Sequence, residues 1–285
     1  GPDGLAAQSA AGLEPLSAGA VWGARAGGAA VRCRGGRSAD LVASWRALAD
    51  APEASGRAVK AGVAGPYTFA RRSDTATGER RRLTLSLAEA LNDALRSLAG
   101  ACCPLVQVDE PDAGRSGDDE TERRLFGEAH RRLLEGVTGT HPSLCVIGGS
   151  ADAAGAATFF DLPYRSYLFD LIEGPDNWRL IALAPGDRGV ICGAMDARTA
   201  RPDAREILVW AAHYAASTAG RGPERVGLAP SGSLAHLSAE QARRKIDRLA
   251  EAARLAGLPG RELAEALDPR AVRSRARALR GKPRR

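Results

Sequence analysis

Several features that would classify a protein quickly are missing from this 285-residue chain. No apolar run approaches the ~18 residues of a membrane-spanning helix. No secretory signal pattern stands at the start, and Gly1-Pro2 reads as the scar of a protease cut, so the expectation is that the native start lies upstream. Lysine is scarce, and there is no internal repeat. The five cysteines, Cys33, Cys102, Cys103, Cys145 and Cys192, are odd in number, irregularly spaced and without a CxxC pair. That usage points to free thiols in a reducing cytoplasm rather than a disulfide framework. Gly148-Gly149 after Ile147 lacks the further glycine and the downstream acid of a dinucleotide-binding turn.

What is present begins with charge. The formal net charge is +6, but residues 268–285 hold eight Arg or Lys and one Asp, a net of +7. The rest of the chain is therefore +6 − 7 = −1. The basic character belongs to the tail, which reads as a solvated terminus. No nucleic-acid or membrane partner is expected. The 44% hydrophobic content supports a sizeable core.

Short apolar runs alternate with amphipathic stretches. Strands are predicted at 12–16, 59–64, 104–108, 144–147, 167–172, 189–192 and 225–229. Helices are predicted at 40–49, 84–99, 122–137, 205–217 and 238–256, the last opened by Ser238-x-x-Gln241 as a capping box. A short helix is expected within 258–267. Residues 73–82 and 112–121 read as polar loops. Strands separated by helices argue for a parallel sheet, and seven of them in ~220 residues suit a (β/α) barrel.

Chemistry gathers at the predicted strand ends. Val106-Gln107-Val108-Asp109-Glu110-Pro111 delivers two adjacent carboxylates. Neighbours on a strand point to opposite faces, so only one of them faces a barrel mouth and the other needs a structural partner. Gly65-Pro66-Tyr67-Thr68 stops one strand, Ser143-Leu144-Cys145 places a thiol in another, and Glu173 and Asp196 close two more. A barrel builds its active site at such positions.

In this order and at these intervals the segments resemble the catalytic barrel of cobalamin-independent methionine synthase and its single-barrel relatives, from about Leu5 to Gly257. The most specific pieces are Gly65-Pro66-Tyr67-Thr68, Gln107-Val108-Asp109-Glu110-Pro111 and the stretch from Ser231 to Leu249. Glu135-Gly136-Val137 and Asn177-Trp178-Arg179-Leu180-Ile181 are also similar. The resemblance implies an α/β protein with a (β/α)8 TIM-type barrel over 1–257, whose first strand is absent from this chain, followed by a short helix and basic tail over 258–285. An unfilled first-strand position would leave an open seam. The explanations that compete are truncation, a covering homo- or hetero-oligomeric partner, and filling by residues 1–11, which read as a helix end.

The implied reaction moves a methyl group from a methylated folate, or another donor, to a small thiol or amino-acid-like acceptor. Zinc would bind that thiol as thiolate, which matters because a free thiol has a pKa near ~8.5. Carried over one residue at a time, the ligand set is incomplete. Cys145 and Glu173 are kept, Ser143 stands where the histidine is expected, and Gly232 stands where the final cysteine is expected. His141 and Cys192 are candidate substitutes. Ser17-Ala18-Gly19-Ala20 replaces an acidic donor-binding segment. Asp109 is the implied anchor of the substrate amino group, with Glu110 a second catalytic carboxylate and Tyr67 and Asp196 lining the mouth. Three functions stand against one another: a methyltransferase of this type, a degenerate barrel that partners an intact relative, and a metal-free enzyme of new specificity.

Overall fold

The computed structural model describes residues 2–22, 38–73 and 76–267; Cys33 and the tail 268–285 lie outside the described residues. The elements follow in order as α1 (Pro2–Ala11), β1 (Leu16–Trp22), α2 (Ser38–Ala49), β2 (Val59–Ala64), α3 (Pro66–Arg72), α4 (Thr77–Gly100), β3 (Leu105–Asp109), α5 (Glu120–Leu134), β4 (His141–Val146), α6 (Ala156–Phe160), β5 (Ser166–Asp170), α7 (Trp178–Leu183), β6 (Gly189–Met195), α8 (Arg205–Ser217), β7 (Val226–Pro230), α9 (Ala239–Ala256) and α10 (Gly260–Leu267). The seven strands form one parallel sheet in the order β1 to β7, each hydrogen-bonded to its neighbours in sequence. The sheet curls into a half-barrel, the architecture expected from strands alternating with helices. Among the described residues β1 and β7 are not paired with each other.

Alternation along each strand divides the side chains. Val59, Ala61, Val63, Val106, Val108, Leu144, Val146, Tyr167, Phe169 and Val190 are buried in the main apolar cluster together with helix residues such as Leu95, Leu98, Phe126 and Leu133. The other set, which includes Lys60, Gln107, Asp109, Ser143 and Cys145, faces the lumen. This division puts chemistry inside the curl and hydrophobic packing outside it.

Several boundaries differ from the sequence reading, with physical reasons. The first strand starts at Leu16 instead of spanning 12–16. Gly12 adopts φ +82°, and the Gln8 amide bridges the backbone of Ser17, so residues 12–15 turn from α1 into β1. Ser17-Ala18-Gly19-Ala20 accordingly lies within β1. Glu79-Arg80-Arg81-Arg82, expected in a loop, is helical because α4 begins at Thr77, where charge pairs with α5 support the turn. His141 belongs to β4 rather than to the loop before it. The Ser238–Gln241 capping box is formed as expected.

Candidate functional site

At the C-terminal end of β3 the strand alternation separates the two adjacent acids. Asp109 points into the lumen. Glu110 is fully buried on the helix side, where Oε1 and Oε2 accept the Tyr67 and Thr68 backbone N–H groups at 3.0 and 2.7 Å. It therefore caps the start of α3, an arrangement favoured at a helix N-terminus. His130, also fully buried, lies 3.1 Å from Oε1 and links onward to the Tyr164 hydroxyl at 2.7 Å. The approach is close enough to require Gly65: a Cβ there would fall 2.1 Å from Glu110 Oε1. Glu110, expected as a catalytic carboxylate, is here a structural one, since both oxygens are engaged in the protein interior.

Asp109 stands in a different setting. Gln107 Nε2 donates to its Oδ1 at 2.6 Å, and Lys60 Nζ donates to Gln107 Oε1 at 2.5 Å. Cys145 is its register partner on β4. Burial pushes the Asp109 carboxyl above the usual range, opposed by the Gln107 hydrogen bond, the Lys60 charge and the Cys145 thiol. Burial also lowers Lys60, against the pull of Cys145 and Asp109. The Cys145 thiol is pushed well above its ordinary value, first by burial and then by Asp109. The group is thus a compact line of polar side chains in a low-dielectric lumen.

The remaining sequence candidates are placed elsewhere. Glu173 reaches outward to Arg198 Nη1 at 2.5 Å and does not join Cys145. Asp196 is occupied at its own turn, accepting from the Arg198 N–H and the Thr199 hydroxyl. Tyr67 is fully buried, packs edge-on against Phe126 at 5.4 Å and donates to Glu122 at 2.7 Å, so it does not line the mouth. His141 sits four residues below Cys145, roughly 13 Å along the strand, with Nε2 on the Ser166 hydroxyl at 2.9 Å. Cys192 faces the helices, its Sγ 3.6 Å from the Ala211 carbonyl, and burial raises it to about 12. Ser143 accepts from Ser166 at 2.8 Å. Gly232 is uncrowded: a Cβ there would meet only Ala197, at 3.7 Å.

One organising residue was missed. Asp170, fully buried at the end of β5, accepts from the N–H groups of Gly148, Gly149, Ile172 and Glu173. Asn177 completes the knot through the Asp170 and Gly149 carbonyls and the Ala151 N–H. This network fixes the loops after β4 and β5. The only sequence signal is a strand ending on an acid, a signal that Glu173 three residues later carries equally. Below Asp109 and Cys145, a cavity of about 530 Å³ lies against Lys60, Gln107, Ser143, Leu168 and Ile191 and opens beside β7.

No protein-family model matches the sequence. A curated protein from Nitratidesulfovibrio vulgaris, 5-methyltetrahydropteroyltriglutamate--homocysteine methyltransferase, is 32% identical over 215 residues, covering 67% of this chain and 26% of that protein. A protein of the same name from Caulobacter vibrioides is 31% identical over 177 residues, covering 60% and 22%. The chain is a divergent relative of the cobalamin-independent methionine synthases. It spans about a quarter of the length of the curated relatives it matches. The fold agrees with that kinship. A B12-independent methionine synthase from Shewanella sp. W3-18-1, solved in complex with selenomethionine, superposes with a TM-score of 0.63 at 18% identity, covering 81% of this chain and 68% of the other. A Listeria monocytogenes structure described as a putative vitamin-B12 independent methionine synthase gives 0.58 at 15% identity, covering 76% and 68%.

For a methionine synthase relative the fit of zinc is a direct question. Among the described residues no group of three or more His, Cys, Asp or Glu side chains is arranged to hold a metal ion. Zinc sites use three or four protein donors, and thiol ligands bind as thiolates. Here Cys145 is held protonated, Glu173 is paired with Arg198, and Ser143 and Gly232 offer no ligand of the required kind. The donor set present does not fit zinc. No helix among the described residues is long and apolar enough to cross a membrane.

Proposed function

We propose that this chain is a methyltransferase of the methionine synthase type that acts on a small, amino-acid-like thiol, with Asp109 holding the ammonium group of the acceptor. The observation that carries this reading is the isolation of Asp109. It is the acid of the strand-end pair that faces the lumen, where Gln107 donates to it and Cys145 stands beside it on β4. A carboxylate that accepts one hydrogen bond has lone pairs left for another, and a ligand ammonium would offset the cost of its burial. The curated relatives are named for transfer from 5-methyltetrahydropteroyltriglutamate to homocysteine, which makes that pair the first to assay. Asp109→Asn is expected to raise the KM for the acceptor at least tenfold, roughly the value of one charge-assisted hydrogen bond, with the donor KM unchanged. Unchanged acceptor kinetics would remove Asp109 from the role.

A second reading has its own support. Loss of donors at Ser143 and Gly232, with Glu173 diverted to Arg198, also suits a degenerate barrel that supports an intact relative. No methyl transfer by the purified chain, together with increased activity of a co-expressed relative, would favour that reading.

A further inference from the structure

The line from Lys60 to Asp109 has a direction. An ammonium group donates and never accepts. Lys60 Nζ, 2.5 Å from Gln107, therefore obliges the Gln107 amide to turn its oxygen downward. The amide NH2 then has to point up the lumen, where it meets Asp109 Oδ1 at 2.6 Å. With Lys60 removed, the amide has no such obligation. Turned over, it would set its oxygen against the carboxylate, and two acceptors facing each other repel. The covalent scaffold supports this arrangement. Gln107 and Asp109 are two residues apart on β3 and share its inner face, while Lys60 lies on the adjacent strand β2. None of these three side chains is needed for the apolar packing behind the sheet.

We propose that Lys60 and Gln107 are positioning residues that act as a one-way relay, fixing the polarity of the amide so that Asp109 is held in place to receive the ammonium group of an amino-acid-like ligand. The relay gives the lumen a protein cation in place of a metal as its source of positive charge. This inference rests on the assignment of Asp109 as the ammonium anchor and assigns two further residues to that anchor. It also specifies what they recognise: a ligand is selected for its protonated amine and not simply for its thioether or thiol.

The test is a comparison of two ligands of similar shape. L-methionine carries the ammonium group, and 4-(methylthio)butanoate lacks it. Calorimetric titration of the full chain is expected to show at least a tenfold preference for methionine, the order of magnitude of a hydrogen bond between charged groups. Lys60→Met and Gln107→Met should each reduce that preference severalfold while leaving affinity for the butanoate unchanged. Lys60→Arg should retain it, since a guanidinium is also a pure donor and the cavity beside Lys60 has room for the longer side chain. Rescue by arginine is the result that simple loss of packing would not produce. Thermal unfolding of each variant checks folding; if Lys60→Met does not fold, Gln107→Met and Lys60→Arg decide the matter. Full preference retained in Lys60→Met and Gln107→Met, alongside its loss in Asp109→Asn, would overturn the relay and leave the anchor standing. Preference retained in Asp109→Asn would overturn both.

Discussion

Asp109 and Glu110 are adjacent in sequence and chemically alike, yet they meet opposite environments. The pleat sends one to the lumen and the other behind the sheet, where backbone N–H groups of α3 hold it. This difference predicts different consequences of mutation. Gly65→Ala would drive a methyl group into Glu110, and we expect a loss of about 3 kcal/mol or more in urea unfolding, because the neighbour is a buried carboxylate with no room to move. Asp109→Asn should act in the other direction on stability. A carboxyl group whose folded pKa is raised binds its proton more tightly in the native state than in the unfolded chain. Stability is therefore lost as pH rises from the ordinary Asp value of about 3.9 through the raised value. Denaturant midpoints should show Asp109→Asn to be more stable than the parent at neutral pH, and the gap should close in acid. A third expectation concerns metal. The parent protein should carry no stoichiometric zinc by elemental analysis. Ser143→His with Gly232→Cys should gain it, because a side chain fits at 232 and the pair restores the donors that the family resemblance implies beside Cys145.

Among single elements, helices are more legible in the sequence than the loops that aim the chemistry. The capping box of α9 is local, requiring only Ser238 and Gln241 three residues apart, and it formed as read. Ser238→Ala should cost about 1 kcal/mol in the same unfolding experiment, with no change in ligand binding. The run of arginines at 80–82 reads as a loop in sequence because its local polarity resembles one. In the fold these residues lie along α4, and Arg80 and Arg81 pair with Glu122 and Glu128 of α5, more than forty positions away in sequence. The loops after β4 and β5 were equally hidden. Their anchor is Asp170, whose four backbone partners come from two separate loops, and no spacing rule links them.

Across the whole molecule the half-barrel is unequal in its protection. Every residue of β5 is buried, while every residue of β7 is partly exposed beside the cavity. Edge strands with few covering neighbours open at lower free energy than central ones. Amide hydrogen exchange should accordingly be slowest in β3, β4 and β5 and measurably faster in β7. Equal protection across the sheet would show that something covers the open side in solution.

The order of strands and helices, the parallel architecture and the positions of polar residues at strand ends are legible in the chain alone, because hydrophobic periodicity and capping are encoded within a few residues. It also carried the kinship, through motifs such as Gly65-Pro66-Tyr67-Thr68. Which of those polar residues meet depends on the folded arrangement. It set Cys145 beside Asp109, turned Glu173 toward Arg198, left His141 at the opposite end of its strand and put Lys60 beneath Gln107. Those outcomes depend on strand register and on the direction of each side chain, and both are set by contacts between segments distant in the chain.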